Sequence, residues 1–157
     1  MVGIAVGDVA PDFALPSQSG EQVRLSGFVG IKNVVLYFYP KDFTPGCTAE
    51  AKAFRDSYQV FSDSETEVIG VSSDSVDTHH RFAERCGLPF TILSDEGSKV
   101  MKQYGVPGGI FSGRITFVID KERIVRYVFS SRLQPTRHVK EALEALRKVP
   151  APNQKLT

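Results

Sequence analysis

Hydrophobic and polar positions divide this chain into short apolar runs separated by segments with helical spacing. Asn33 to Tyr39 reads NVVLYFY, β-branched and aromatic with little alternation, which predicts a strand buried on both faces and closed by Pro40. From Cys47 the apolar side chains Phe54, Tyr58 and Phe61 fall at i, i+4 and i+7, the period of a helix. A second buried strand, EVIGVSS, leads into a helix that Asp74 or Ser75 would cap. On that helix Val76, His79, Phe82, Ala83 and Cys86 share one face, and Gly87 stands where the helix would stop. Phe90 to Leu93 predicts a short strand and Ser98 to Tyr104 a short helix. RITFVID and RIVRYVFSS then predict an antiparallel hairpin turning at Asp120-Lys121-Glu122. A last helix begins near Pro135, with Val139, Leu143 and Leu146 at helical spacing. Near the start, FALPSQSGEQVRL predicts two short extended pieces around Ser19-Gly20. Strand and helix alternate early and the hairpin comes late. The expected fold is therefore an α/β three-layer sandwich, a mixed central sheet flanked by helices, with an N-terminal β extension.

Length and composition narrow the function. A chain of 157 residues suits one domain, expected over 1–150, with a polar, proline-containing tail at 151–157 expected to fray. Nineteen Lys+Arg against 18 Asp+Glu give a net charge of +1, which points neither to nucleic acid nor to an anionic membrane. The longest apolar run, Val34 to Tyr39, is far shorter than the roughly 20 residues of a membrane span. The opening MVGIAVGDVAPDF lacks a basic stretch followed by an apolar one, so no secretory signal is expected. Two cysteines, Cys47 and Cys86, are too few for a disulfide framework. They fit a reducing compartment, and a cytoplasmic location is expected.

The stretch from Tyr39 to Glu50, YPKDFTPGCTAE, carries the most chemistry. Cys47 opens a helix directly after a buried strand, where unpaired backbone N–H groups and the helix dipole stabilise a thiolate. Pro45 and Gly46 set the turn, Thr44 puts a hydroxyl within reach of the sulfur or of a ligand, and Pro40 would shield the pocket. A lone cysteine is also commonly a small buried apolar residue. The loop by itself leaves both readings open.

The spacing Pro40-x-x-x-Thr44-x-x-Cys47 matches the active-site signature of the peroxiredoxins, and YFYPKDFTPGCTAEAKAFRD resembles the peroxiredoxin Q group, also called bacterioferritin comigratory proteins. GDVAPDFALP, VIGVSSDS, GLPFTILSD and TFVID extend the resemblance over nearly the whole chain, in the same order. The resemblance implies a thioredoxin-like fold. It also implies reduction of hydrogen peroxide or organic hydroperoxides by a cysteine, with no metal, haem, flavin or other cofactor. By the same resemblance Cys47 is the peroxidatic cysteine, Thr44 orients the peroxide and Pro40 is the shield. Arg114, before ITFVID, is the guanidinium beside the sulfur, a role suited to a permanent cation. Glu50, one turn into the helix, is placed to orient Arg114. The implied partners are a peroxide and a thiol reductant: thioredoxin, glutaredoxin or a small thiol such as glutathione. A monomer is implied, with a dimer as the alternative.

The chain departs from the family at one point. Many peroxiredoxin Q proteins carry a resolving cysteine five residues after the peroxidatic one, and here that position is Lys52. Cys86 is left as the candidate resolving cysteine. Three roles stay open for it: a disulfide with Cys47 after local unfolding, packing beside Phe82, or an intermolecular bond. A metal site at His79-His80 is not expected, because paired ligand spacing is missing. The absence of C-x-x-C excludes a thioredoxin-type dithiol reductase. Gly108, Gly109 and Gly113 lead into a strand rather than a helix, so they present Arg114 rather than cradle a phosphate. Phe43 and Phe111 near the pocket would suit an organic hydroperoxide. The Arg/Lys/His scatter from Arg132 to Lys140 reads as a solvated helix face. Besides a peroxidase, a redox relay and a non-catalytic thioredoxin-like module remain as alternatives.

Overall fold

The computed structural model describes residues 3–107 and 113–149. Its central sheet has five strands: β3 (Asn33–Phe38), β4 (Thr66–Ser72), β5 (Thr91–Ser94), β6 (Ile115–Ile119) and β7 (Val125–Ser130). Their order is β5-β4-β3-β6-β7. β3 pairs parallel with β4, as β4 does with β5, while β3–β6 and β6–β7 are antiparallel. The sheet is mixed because the early strands return through helices and the last two through a hairpin. β1 (Ala14–Pro16) and β2 (Gln22–Arg24) form a separate antiparallel pair, the expected N-terminal extension. It is tied to the main sheet by the bridge Ser17↔Leu93.

Alternation along β3 sends its side chains to two cores. Val35 and Tyr37 join Phe54, Phe61, Phe82, Val118 and Val139 on one face. That face is covered by α1 (Pro45–Asp56), α2 (Tyr58–Asp63), α3 (Val76–Cys86) and α5 (Arg137–Leu146). Val34, Leu36 and Phe38 join Phe13, Leu25, Met101 and Phe117 on the other, under α4 (Lys99–Gln103) and the N-terminal segment. Burial on both faces explains why β3 reads as a continuous apolar run.

Two expectations need correction. The helical pattern through Phe54, Tyr58 and Phe61 is split at Ser57, whose N–H is shared between Ala53 and Phe54 carbonyls. The break turns Phe61 fully into the core while Tyr58 stays half-buried and donates its hydroxyl to Glu67. The stretch from Arg132 to Lys140 is not a uniformly solvated face, since His138 is fully buried. α5 packs on β6 and β7, and the turn of helix that seats Val139 and Ala142 also seats His138. Elsewhere Ser75 caps α3 by accepting from the Thr78 N–H, and Gly87 ends it in the left-handed region at φ 62°. The tail at 151–157, Phe111, Gly108 and Gly109 lie outside the described residues. Among the described residues no helix is long and apolar enough to cross a membrane.

Candidate active site

α1 begins at Pro45, a residue suited to the first helical position because it has no N–H to leave unpaired. Cys47 therefore lies in the first turn, beneath β3 and 1% exposed. No side chain caps this helix, and the Thr44 hydroxyl donates instead to the Lys41 carbonyl at 2.9 Å. The positive end of α1 is thus left to act on Cys47. Thr44, partly exposed, keeps its oxygen lone pairs for a ligand. Pro40 is half-buried at the end of β3.

β6 delivers the cation. Arg114 lies immediately before it, 5% exposed, and its Nη1 donates both to Cys47 Sγ at 3.5 Å and to Glu50 Oε1 at 2.6 Å. Its Nε donates to the Arg132 carbonyl at 3.4 Å. Two glycines make room for this arrangement. A Cβ on Gly46 would stand 3.0 Å from Arg114 Nη2, and one on Gly113 would stand 3.0 Å from Pro107 Cδ. Burial works against the Arg114 charge, but Glu50 and Cys47 outweigh it and hold the guanidinium above its ordinary pKa. Burial pushes the Glu50 carboxyl up, against the pull of Arg114. Cys47, Glu50 and Arg114, which the family resemblance implied as neighbours, are brought into contact in the structure.

Behind this group lie residues the sequence did not single out. Glu50 Oε2 is buried without a hydrogen-bond partner, 3.8 Å from Nδ1 of His138. The His138 ring bonds Thr116 Oγ1 and the Ser131 carbonyl, each at 2.8 Å. The loop before α1 has its own anchor. Asp42 accepts from Tyr39 Oη at 2.6 Å, contacts His79 Nδ1 at 2.5 Å, and donates its N–H to Asp74 at 2.8 Å. His79 Nε2 meets the Leu93 carbonyl at 2.9 Å. His79, expected only to border the apolar face, thus fastens the active-site loop to α3 and β5. Asp42, Asp74 and His79 form a carboxylate–histidine cluster whose polar groups bond one another and their neighbours. His80, by contrast, is exposed. The Asp and His of this anchor could have been suspected from the polar Asp42 inside the loop motif. Nothing in a single sequence marks His138.

Cys86 is buried at 4% exposure, in the same core as Cys47 and Phe82, and both thiols are free. Burial pushes the Cys86 thiol up, against Lys52 and Arg55. Its carbonyl accepts from Arg55 of α1 at 2.7 Å. A cleft of about 330 Å³ opens there, lined by Phe43, Thr48, Lys52, Phe82, Arg85 and Cys86. Phe43 is half-exposed with φ 67° and sits edge-on to Phe82 at 5.2 Å.

A sequence model of the AhpC/TSA family matches residues 6–128. The wheat (Triticum aestivum) protein named peroxiredoxin Q, chloroplastic, is 49% identical over 146 residues, 91% of this chain and 67% of that protein. The one from Sedum lineare is also 49% identical, over 91% and 78%. Among solved structures, peroxidoxin BcpB from Mycobacterium tuberculosis is similar with a TM-score of 0.87, 39% identity and coverage of 93% and 98%. Xanthomonas campestris peroxiredoxin Q matches with a TM-score of 0.80, 29% identity and coverage of 87% and 90%. That protein has also been solved with serine in place of either of two cysteines.

Proposed function

The chain belongs to the AhpC/TSA family and is a peroxiredoxin, a thiol-dependent peroxidase, and on that premise we propose that Cys47 is the attacking thiolate, with Arg114, Thr44 and Pro40 as its pocket. The observation that carries this reading is the single Arg114 Nη1, which holds the Cys47 sulfur and Glu50 together at the positive end of α1. A thiolate in this position attacks one peroxide oxygen in line with the O–O bond. An S–O bond forms, the O–O bond breaks, and the leaving hydroxide or alkoxide takes a proton. Arg114, the free Thr44 lone pairs and the first amides of α1 meet the charge that develops on the two oxygens. Glu50 is a positioning residue, because its carboxylate fixes the guanidinium from behind. Phe43 makes the rim suited to an organic hydroperoxide as well as to hydrogen peroxide.

Cys47 is then a sulfenic acid, which a second thiol converts to a disulfide with loss of water. We propose Cys86 as that thiol. It shares the core with Cys47, and the Xanthomonas relative has also been studied as two cysteine mutants. Partial unwinding of α1 or α3 would accompany the bond. Thioredoxin, glutaredoxin or a small thiol then reduces the disulfide. Peroxide consumption coupled to a thioredoxin system, run on the parent, Cys47→Ser and Cys86→Ser, tests the reading. Activity is expected to vanish with Cys47→Ser and to fall steeply with Cys86→Ser. Retained activity in Cys47→Ser overturns the assignment of the nucleophile. Full turnover in Cys86→Ser assigns resolution to the outside thiol alone.

We further propose a reducing location such as the cytoplasm, on the two free thiols; the named plant relatives are chloroplastic. Imaging of a tagged chain in its host checks this, and an oxidising compartment contradicts it. A monomer is the expected assembly, and sedimentation at micromolar concentration would contradict it by showing a dimer.

A further inference from the structure

Cys47 and Cys86 are carried by different elements, and one buried side chain fastens both. His79, in the first turn of α3, precedes Cys86 by about two turns on the same face. Its Nε2 meets the Leu93 carbonyl at 2.9 Å and so holds α3 to β5. Its Nδ1 meets Asp42 Oδ2 at 2.5 Å and so holds α3 to the loop that leads into α1. Both side chains are fully buried, and the Tyr39 hydroxyl engages the other Asp42 oxygen at 2.6 Å. Cys47 follows Asp42 by five residues, so this clasp stands at the base of the segment that carries the attacking sulfur.

The clasp holds a backbone conformation that needs holding. Phe43, next to Asp42, has φ 67°, in the left-handed region that a bulky L-residue rarely adopts. Such a conformation is unfavourable and persists only where its surroundings enforce it. Here its two neighbours are tied. The Asp42 side chain is held by His79 and its N–H donates to Asp74 Oδ2 at 2.8 Å, while the Thr44 hydroxyl donates to the Lys41 carbonyl. The far end of α1 is held separately, by Arg55 donating to the Cys86 carbonyl at 2.7 Å.

Resting on the reading of Cys86 as the resolving thiol, we propose that His79 is a positioning residue for resolution, a latch between the two cysteine-bearing elements. With the Asp42–His79 bond made, Cys47 stays in its helical turn against Arg114, where peroxide is reduced. With the bond broken, the strained loop relaxes and the first turn of α1 unwinds, while Arg55 keeps the far end of α1 on Cys86. The Cys47 sulfur is then free to meet Cys86. The S–S bond forms, the S–O bond of the sulfenic acid breaks, and hydroxide leaves with the Cys86 proton as water. One buried hydrogen bond thus sets how long the sulfenic acid waits, open to a second peroxide that would carry it to sulfinic acid.

The test times disulfide closure after one equivalent of peroxide, by rapid quench with an alkylating agent and mass spectrometry. His79→Gln puts an amide nitrogen in the place of Nε2, which keeps the Leu93 contact and loses the Asp42 bond. Closure should become about tenfold faster, the effect of one buried hydrogen bond to a charged group on the opening equilibrium. Less sulfinic acid should form under excess peroxide. His79→Asn puts its amide nitrogen in the place of Nδ1, keeps the Asp42 bond and should close near the parent rate. Tyr104→Phe, which loses a bond to the Pro11 carbonyl in the opposite core, controls for stability alone. It should lower urea stability and leave closure unchanged. Closure in His79→Gln no faster than in the parent, or equally fast in Tyr104→Phe, overturns the latch and leaves the resolving role of Cys86 standing. In the oxidised parent, residues 40–48 and 76–80 should lose hydrogen-exchange protection together, relative to the reduced protein. That readout stands even if His79→Gln does not fold, and a loop that keeps its protection overturns the proposal. Absence of any Cys47–Cys86 disulfide in the parent strikes the resolving role of Cys86, and the latch with it.

Discussion

Arg114 is the residue on which the chemistry turns, because one of its nitrogens serves both Cys47 and Glu50. Replacing it with lysine keeps the charge but loses the planar fork and the second donor set. Arg114→Lys should lower the second-order rate with peroxide by about 10²-fold, as the loss of an oxyanion donor does elsewhere. Stopped-flow kinetics checks this, and a change under threefold contradicts it. Gly46→Ala is a subtler probe. Its new Cβ would stand 3.0 Å from Nη2 and push the guanidinium back by a few tenths of an ångström. The rate should fall severalfold with urea stability nearly unchanged. An unaltered rate would mean that the guanidinium position is not critical. Cys47 was legible in the sequence because a helix-opening cysteine in a Pro/Gly loop marks it locally, whereas Glu50 and Arg114 came only with the family resemblance, Arg114 lying 67 residues away. His138 was not legible. Its neighbours Arg137 and Lys140 are charged, and its burial depends on how α5 lies across β6 and β7.

At the scale of elements, the active-site loop is held by hydrogen bonds to α3 and β5 as well as by the Tyr39–Asp42 and Thr44–Lys41 bonds within it. His79 joins Asp42 to the Leu93 carbonyl and is fully buried. His79→Leu would take the ring partner from Asp42 Oδ2 and from the Leu93 carbonyl, leaving Asp42 only Tyr39, at about 1–3 kcal/mol for each lost contact. Urea denaturation should show a loss of that order, and a loss below about 0.5 kcal/mol would contradict the role. Most helices and strands followed from periodicity, and Ser75 and Gly87 marked the two ends of α3 as local chemistry requires. The break at Ser57 did not follow. Phe54, Tyr58 and Phe61 keep helical spacing in sequence, and only the need to sink Phe61 beside Phe54 bends the chain. Periodicity reports which residues are apolar, not where the sheet stands beneath them.

Across the whole molecule, two cores stand on a mixed sheet whose order could not be read from the strands alone. That β6 pairs beside β3, and so brings Arg114 over Cys47, is a long-range fact. The three-layer class was legible because buried strands and amphipathic helices alternate. The same burial has a consequence at high pH. Tyr37, Tyr39 and Tyr104 are all buried, and burial is the largest cause raising each above the ordinary phenol range. In the unfolded chain these phenols ionise near 10. The folded state holds their protons longer, so their stabilisation is full below pH 10 and lost as pH rises beyond it. Each can contribute up to about 1.4 kcal/mol per pH unit. Tyrosinate absorbance and circular dichroism, followed together, should therefore show these three phenols ionising only as the fold is lost. Ionisation of all five tyrosines in a native-like spectrum would contradict this.

The most direct test of Cys47 as the nucleophile is to find which sulfur the peroxide oxidises. The reduced Cys86→Ser protein receives one equivalent of peroxide in the presence of dimedone, and peptide mass spectrometry locates the adduct. One dimedone adduct is expected, on Cys47, and it should be lost when Arg114 is replaced by alanine. Peroxide consumed with Cys47 left unmodified would contradict this.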